Sequence, residues 1–205
     1  MTDPDALLHD FQSITEPLRL ENLFDQPQPT ELEIGCGDGG FLLEWATRHP
    51  DRNFLGIERL LGRVRKLSKR GQHAGLTNLR LLRIEARYVL EYLLPKNAFT
   101  AIHIYFPDPW PKDKHRRHRL INQSFPARAA TILAGGGAVH LRTDDEKYFA
   151  QMQETFTGHG GFALKETPAE LLALRTEFET QFNAQGIPTP SFSFKRPSRR
   201  CSVPI

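Results

Sequence analysis

The chain has 205 residues, of which 39% are hydrophobic and 25% are charged, a balance typical of a soluble globular protein with one sizeable core. No apolar run approaches the roughly 20 residues that span a bilayer, and the first ten residues carry no apolar signal segment, so we expect a cytoplasmic protein that does not bind membranes. The two cysteines, Cys36 and Cys201, argue against a disulfide framework and against a metal site.

The net charge of +3 is small, but the cations are unevenly distributed. Five cationic side chains against one aspartate give +4 between residues 112 and 119, and four more cations give +4 near the C-terminus. The first group is Lys112, Lys114, Arg116, Arg117 and Arg119, and the second is Lys195, Arg196, Arg199 and Arg200. This asymmetry indicates a polyanionic partner, and the alternative interpretation is a solvated loop and a solvated tail.

Short apolar runs alternate with helical patterns from Thr30 onward. Strands are predicted at 31–34, 53–57, 79–84, 101–106, 138–142, 162–165 and 191–194. Helices are predicted at 41–49, 59–73, 86–94, 120–133, 145–156 and 169–178. This alternation predicts an α/β fold in which parallel βαβ units form one layered domain over residues 30–205. Residues 1–29 carry four prolines and no clear period, so we expect a loosely attached N-terminal extension.

The first predicted strand runs into a glycine-rich loop, 33–40, which precedes a helix. Glycines allow tight turns and close approach of the backbone to a ligand. Gly35, Gly37 and Gly40 fit the dinucleotide fingerprint G-x-G-x-x-G, whereas Glu33 with Gly35, Gly37 and Gly39 fits the E-x-G-x-G-x-G loop of methyltransferases. A purely structural turn is the third interpretation.

Acidic residues also end the second and third predicted strands. Glu58 is placed to accept hydrogen bonds from both hydroxyls of an adenosine ribose, which nicotinamide cofactors and S-adenosylmethionine share. Glu85 is placed to accept from an adenine amino group, and a plain surface glutamate is the alternative. Together they favour a nucleoside cofactor without choosing between the two kinds.

The fourth predicted strand ends in a proline-rich acidic turn, Phe-Pro-Asp-Pro-Trp-Pro-Lys, at 106–112. Asp108 lies between two prolines, whose fixed φ restricts the backbone. Trp110 is placed either to pack on the loop or to stack on a base. A rigid carboxylate at a strand's carboxyl end, followed by a basic run, indicates a functional turn rather than a structural one.

These residues resemble the bacterial tRNA (guanine-N7)-methyltransferase family. The resemblance covers roughly residues 30 to 195, and the turn at 106–112 is its most specific part. It is also carried by the runs 33–37 and 56–58, by His115 with the arginines after it, by Thr143 and Asp144, and by residues 176–179. The resemblance implies a Rossmann-like S-adenosylmethionine methyltransferase fold, with a mostly parallel seven-stranded sheet and helices on both faces. It also implies that the enzyme methylates N7 of the guanine at position 46 in the tRNA variable loop.

The resemblance implies roles for individual positions. The cofactor S-adenosylmethionine would contact Glu33, Gly35, Gly37, Glu58, Glu85 and Asp108, and Asp108 would also lie at the reacting centre as the catalytic residue. The substrate would be held by Lys112, Asp144, Thr176, Glu177, Phe178 and Glu179. The RNA would contact Lys114, His115, Arg116, Arg117, His118 and Arg119. We expect tRNA as the partner of a monomer or a homodimer.

This chain departs from the family at three places. The family usually has aspartate or asparagine at the position of Glu85, and one additional methylene would shift the contact with adenine. His118 stands where the family usually has arginine, which reduces the fixed charge of the basic run. The tail at 199–205 matches no part of the family pattern.

The chemistry at guanine N7 needs no general base beforehand, because N7 carries an in-plane lone pair and no proton. Positioning would supply much of the acceleration, and carboxylates would stabilise the positive charge that arrives on the ring. Our candidates for these carboxylates are Asp108, Asp144 and Glu179. The competing hypotheses are an NAD-dependent oxidoreductase, a non-catalytic RNA-binding module and a small-molecule methyltransferase.

Overall fold

A computed structural model describes residues 3–198, except for the side chains of Asp113 and Glu177. These residues form a seven-stranded sheet flanked by helices. The strands are β1 (Thr30–Ile34), β2 (Asn53–Glu58), β3 (Leu79–Arg83), β4 (Phe99–Tyr105), β5 (Leu133–Arg142), β6 (Ala163–Lys165) and β7 (Ser191–Lys195). The helices are α1 (Gly40–Arg48), α2 (Leu61–His73), α3 (Ala86–Tyr88), α4 (Phe125–Ile132), α5 (Glu146–His159), α6 (Ala169–Ala173) and α7 (Glu177–Ala184). Over the described range, no helix is long and apolar enough to cross a membrane.

The strand order is β3-β2-β1-β4-β5-β7-β6, and β7 runs antiparallel to both of its neighbours. The predicted mostly parallel α/β sheet is therefore confirmed. The chain moves outward from β1 to β3 and then returns to place β4 on the other side of β1. In open α/β sheets, a crevice forms at the carboxyl ends of the strands where the order reverses in this way. That point lies just after Ile34 and Tyr105.

The two faces of the central strands carry different side chains. One face of β1, β4 and β5 presents leucine, isoleucine and valine to the larger hydrophobic core. The other face presents six buried side chains with polar or ionisable groups, here called the polar stripe: Glu31, Glu33, His103, Tyr105, His140 and Arg142. The strand register aligns Glu33 with His103, His103 with His140 and Tyr105 with Arg142. Since alternate residues of a strand point to opposite faces, the period-two sequence pattern produces this division.

Three predicted helices differ from the observed ones. The helix predicted at 120–133 begins only at Phe125, because the Asn122 side chain accepts the Ser124 N–H in a turn and Pro126 lies in the first helical turn. The helix predicted at 86–94 is α3 followed by a π-helical turn, Val89–Leu93. The helix predicted at 169–178 is two helices, and α7 begins after the capping residue Thr176.

The N-terminal segment is packed onto the sheet, contrary to the expectation of loose attachment. Its backbone pairs with β3, where the Leu81 N–H donates to the Leu7 carbonyl and the His9 N–H donates to the Leu81 carbonyl, both at 2.9 Å. The Leu18 N–H donates to the Leu93 carbonyl at 2.7 Å. Four of its apolar side chains are buried: Leu7, Leu18, Leu23 and Phe24. The segment therefore covers the exposed edge of β3 and belongs to the folded unit.

Candidate active site

Two adjoining cavities lie at the carboxyl ends of the central strands. The first cavity, of about 330 Å³, is lined by residues at the ends of β2 and β3 and by His118 of the basic run. The second, of about 390 Å³, is lined by the glycine loop and α7. Both volumes fall in the range of small-molecule sites. The residues that line both cavities are Gly35, Arg63, Tyr105, Phe106 and Asp108. Asp108 therefore lies where the two cavities meet.

Three residues of the glycine loop have backbone conformations that favour glycine. Gly35, Gly37 and Gly39 all have positive φ, whereas Gly40 is the first residue of α1. At Gly39 a Cβ atom would come within 2.1 Å of the Leu67 side chain, so the position requires glycine for its space as well as for its φ of 76°. The loop therefore meets the requirements of E-x-G-x-G-x-G at Gly39. Gly40, at the start of α1, also meets those of G-x-G-x-x-G, so the geometry of the loop does not choose between the two patterns.

Glu58 joins the glycine loop to the start of α2. One carboxylate oxygen accepts the Gly37 N–H at 3.2 Å, and the other accepts the N–H groups of Arg59 and Leu60 at 2.8 and 2.9 Å. The residue also lines the first cavity. These bonds fix the carboxylate at the cavity wall. Oε1 already accepts two N–H groups, whereas Oε2 accepts one and keeps lone-pair capacity for a ligand hydroxyl.

Glu85 acts as the N-cap of α3 and lines the first cavity beyond Ile84. One of its oxygens accepts the Tyr88 N–H at 2.9 Å. The longer side chain relative to aspartate or asparagine is thus anchored by its own helix. Its capping bond uses one oxygen only.

Glu33 is a buried carboxylate at the wall of the second cavity. Its Oε2 atom has no hydrogen-bond partner among the described residues. Burial raises the pKa of Glu33 to about 8, an effect that Arg142 partly offsets and that the charge of Glu58 reinforces. An unpartnered buried oxygen of this kind is a position where a cationic or hydrogen-bond-donating ligand group would be stabilised.

The turn that carries Asp108 has an unusual backbone. Phe106 and Trp110, on either side of it, have φ values of 52° and 43°, a region that residues other than glycine rarely adopt. The Phe106 N–H donates to the Arg142 carbonyl at 2.9 Å, which ties the turn to the end of β5. The two prolines and this hydrogen bond thus restrict the conformation of the turn.

Arg119 binds the backbone of this turn from inside the protein. The predicted contact of Arg119 with RNA does not agree with the burial of its side chain. Its side chain is only 2% exposed. The guanidinium donates to the Pro109 carbonyl at 2.6 Å and to the Gln151 side chain, and it lies 4.6 Å over the Tyr148 ring. The sequence grouped Arg119 with its cationic neighbours because charge alone does not distinguish a buried anchor from a surface cation.

The other cations of the run lie on the surface beside the first cavity. Residues Asp113–His118 form a 3-10 helix, and Arg87 donates to the carbonyls of Arg117 and Arg119 at 2.9 Å each. The exposed side chains are those of Lys112, Lys114, Arg116, Arg117 and His118, while His115 is half-buried. His118 and Trp110 line the first cavity with their rings 5.2 Å apart. Lys112, expected at the substrate, lines neither cavity.

The wall of the second cavity opposite the glycine loop combines aromatic and polar side chains. Asp144, Thr176 and Phe178 line it, as does Phe182. The Phe106 ring lies 6.2 Å from Phe178 and 5.7 Å from Phe182. The sequence analysis missed Phe182, although its four-residue spacing from Phe178 on a helix was a usable signal.

Glu179 is not part of this wall. With Thr176 it forms the capping box of α7, and its carboxylate accepts from Arg142 at 2.8 Å. The Arg142 guanidinium also donates to the carbonyls of Leu171 and Leu174. Glu179 therefore has a structural role in α7, and its expected contact with the base stays a prediction. The side chain of Glu177 lies outside the described part of the structure.

Comparisons with known proteins identify what the chain resembles. Residues 27–190 match the protein family described as "Putative methyltransferase". The tRNA (guanine-N(7)-)-methyltransferase of Nitrosococcus oceani is 37% identical over 183 residues, which cover 89% of this chain and 78% of that protein. The enzyme of the same name from Chromobacterium violaceum is 38% identical over 174 residues, covering 84% and 76% of the two chains.

Solved structures share the fold at lower sequence identity. The 16S rRNA methyltransferase KamB aligns with a TM-score of 0.62 and 17% identity, covering 87% of this chain and 92% of that one. TrmN from Thermus thermophilus aligns with a TM-score of 0.60 and 22% identity, covering 86% of this chain and 47% of that one. These likenesses show a Rossmann-like methyltransferase fold.

Proposed function

The chain belongs to the tRNA (guanine-N(7)-)-methyltransferase family, and from this premise we propose that it transfers a methyl group from S-adenosylmethionine to N7 of a guanine in tRNA. We propose the guanine at position 46 of the variable loop as the target. The observation that carries the proposal is the position of Asp108, a carboxylate on a restrained turn where two cavities meet. Family membership also removes the NAD-dependent alternative that the glycine loop had left open.

The first cavity fits the adenosine part of the cofactor. Glu58 would accept from the ribose hydroxyls and Glu85 from the adenine amino group, while Ile57 and Ile84 supply apolar walls. The methionine part would extend along the glycine loop into the second cavity, where its ammonium group would meet the unpartnered oxygen of Glu33. When bound, the cofactor supplies an electrophilic methyl group on sulfur. The carboxylates and apolar side chains that line the two cavities therefore fit S-adenosylmethionine.

The second cavity fits an everted guanine. The wall of Phe106, Phe178 and Phe182 offers stacking surfaces, and Phe178 is half exposed at the mouth. Asp144 and Thr176 would hydrogen-bond the edge of the base that distinguishes guanine from adenine. Extrusion of a base costs a few kcal/mol, which stacking on an aromatic wall offsets.

The residues of this protein would orient the two reactants and stabilise the developing positive charge, and they would not need to transfer protons. Guanine N7 attacks with a lone pair that needs no deprotonation, so alignment of the two reactants is the main requirement. Methyl transfer would form a bond from N7 to the methyl carbon as the carbon–sulfur bond breaks, and would leave positive charge on the purine ring. Asp108 and Asp144 would stabilise that charge. Outside the cavities, the cations of the 3-10 helix would contact phosphates of the folded RNA.

Nucleoside mass spectrometry tests this proposal directly. A tRNA transcript with guanine at position 46 should gain one 7-methylguanosine when it is incubated with the protein and S-adenosylmethionine. A matched transcript with adenine at that position should gain none. Methylation of both transcripts at another guanine would overturn the position, and transfer only to nucleosides other than 7-methylguanosine would overturn the reaction.

A further inference from the structure

A chain of buried hydrogen bonds runs through the polar stripe beneath the two cavities. The Glu31 carboxylate accepts from His103 Nε2 at 2.9 Å, and His103 Nδ1 lies 2.9 Å from the Tyr105 hydroxyl. At its other end, Glu31 accepts from Arg52 at 2.7 Å and from the Trp45 indole at 2.8 Å. Glu31, His103 and Tyr105 are 4%, 1% and 8% exposed. The chain of hydrogen bonds therefore connects the half-buried Arg52 to Tyr105 at the site through buried side chains.

The protonation state of Glu31 determines which atoms in this chain of hydrogen bonds donate and which accept. Burial raises the pKa of Glu31, but hydrogen bonds from His103, Trp45 and Arg52 outweigh that effect and lower it to about 2, so the carboxylate is ionised and only accepts. His103 Nε2 must therefore carry a proton. In the neutral ring Nδ1 then accepts from the Tyr105 hydroxyl. A carboxylate thus orients an imidazole, and the imidazole in turn orients a phenol.

Tyr105 is the only member of this chain that lines the cavities, and it lines both of them. Its ring is fixed by three contacts: its hydroxyl on His103, the Arg142 guanidinium 4.6 Å over its face, and the Phe41 ring edge-on at 4.7 Å. Its next neighbour, Phe106, begins the strained turn that carries Asp108. Displacement of the Tyr105 ring would thus move the wall that the two cavities share, where the two reactants would meet.

Stability alone does not explain why the fold contains this chain of buried hydrogen bonds. Buried charged networks are commonly no more stable than well-packed apolar side chains of similar volume. The opposite face of the same strands is packed with Leu32, Ile102 and Ile104, which shows that the fold accommodates such packing. A buried polar chain of hydrogen bonds that ends at Tyr105 in the cavity wall is therefore placed to act on the site.

We propose that Glu31 and His103 are positioning residues that act through Tyr105 to fix the distance between cofactor and base. The inference deepens the proposed methyl-transfer function and rests on it. Errors of about 1 Å in reactant placement cost up to two orders of magnitude in rate. The three contacts that fix the Tyr105 ring should therefore have a measurable effect on the rate of methylation. The chain contributes orientation and exchanges no proton with the substrate.

Single-turnover methylation by the full-length protein tests this inference, with S-adenosylmethionine and tRNA both saturating. Tyr105→Phe keeps the ring and removes the hydroxyl, and we expect the rate to fall on the order of 10-fold with cofactor affinity nearly unchanged. Ser193→Ala is the matched control, because it removes buried hydrogen bonds to His140 and Thr167 on the same side of the sheet without touching Tyr105. It should lower the melting temperature and leave the rate intact.

A double-mutant cycle separates positioning from simple stability. Glu31→Gln should slow methylation in the wild-type background and have little further effect once Tyr105→Phe has broken the chain. A wild-type rate for Tyr105→Phe well below its melting temperature would overturn the inference, and so would additive effects in the double variant. If the wild-type protein forms no 7-methylguanosine, the proposed function itself fails, which is a distinguishable result.

Discussion

Hydrogen bonds of neighbouring residues set the position of the turn that carries Asp108. Phe106 and Trp110 adopt left-handed backbone conformations that cost roughly 1–3 kcal/mol each. The surrounding contacts of Arg119 and Arg142 maintain them. Strain of this kind persists where a fold requires one geometry, so the carboxylate is already in place before any ligand arrives.

Asp108→Asn keeps the size of the side chain and removes its charge. If the carboxylate stabilises charge on the purine ring, the single-turnover rate at saturating cofactor should fall by about 10² or more. Folding and tRNA binding should survive. Asp51→Asn, an exposed change just before β2 at the opposite end of the sheet, is the control. A near-wild-type rate for Asp108→Asn would contradict the catalytic role, and a loss restored by more cofactor would indicate binding alone.

Side-chain hydrogen bonds of Arg87 and Arg119 tie the basic 3-10 helix to the surrounding fold. Arg87 donates to two of its carbonyls, and Arg119 ties its end to the Asp108 turn. Cations on such an element are presented at a fixed distance from the first cavity. Contact with RNA phosphates would therefore orient the target base as well as bind the molecule.

Replacement of Lys114, Arg116 and Arg117 by alanine should weaken tRNA binding and flatten its salt dependence. Each lost phosphate contact should reduce the slope of log affinity against log salt by roughly 0.7 to 0.9. Filter binding over a salt series measures the slope. Lys165→Ala, on the exposed edge strand β6, should leave it unchanged. An unaltered slope in the triple variant would mean that this helix does not touch phosphates.

The N-terminal segment should contribute to stability like a core element. Leu7 is buried against α2, where a Cβ atom at Gly71 would lie 2.6 Å from Leu7 Cδ1. Leu7→Ala should therefore lower the free energy of unfolding by about 2 to 5 kcal/mol in a denaturant titration. Ile14→Ala, in the same segment but 57% exposed, should change it by less than about 0.5 kcal/mol. Equal effects would argue against specific docking.

For the whole molecule, local patterns predicted the sheet well because its strands alternate sharply. In β4, for example, Ile102 and Ile104 face one side and His103 and Tyr105 the other. The carboxyl ends of these strands then located Glu58, Asp108 and the glycine loop at one edge. The burial of Leu7 and of Arg119 was not predictable in this way, since both depend on contacts distant in sequence. The start of α7 was readable, because Thr176 and Glu179 form a capping-box pattern.

The polar stripe should make the fold sensitive to acid. Burial, reinforced by His103, lowers the pKa of His140 to about 3, so the folded protein keeps this ring neutral while the unfolded chain takes up a proton near pH 6.5. Stability present above pH 6.5 is then lost progressively as the pH falls toward 3. Glu31 adds a loss in the same direction between about pH 4.5 and 2.

Melting curves between pH 7.5 and 5 measure this effect, and each 1 kcal/mol lost should lower the melting temperature by roughly 2 to 4 °C. His140→Asn should flatten the dependence between pH 6.5 and 5, because asparagine does not titrate and still reaches Ser193. His73→Asn, an exposed change at the end of α2, should leave the curve as it is. A wild-type slope in His140→Asn would assign the acid sensitivity to other groups.

The buried, unpartnered Oε2 atom of Glu33 should couple cofactor binding to the release of a proton. With a pKa of about 8, this carboxyl is mostly protonated at neutral pH, and a cationic group beside it would favour the ionised form. Binding at pH 7 should therefore release up to one proton, and the calorimetric heat should vary with the ionisation enthalpy of the buffer. Glu33→Gln should abolish that variation. Cofactor and proton would then compete for one carboxylate, so acidification of the surroundings would act as a competitive inhibitor of the empty enzyme.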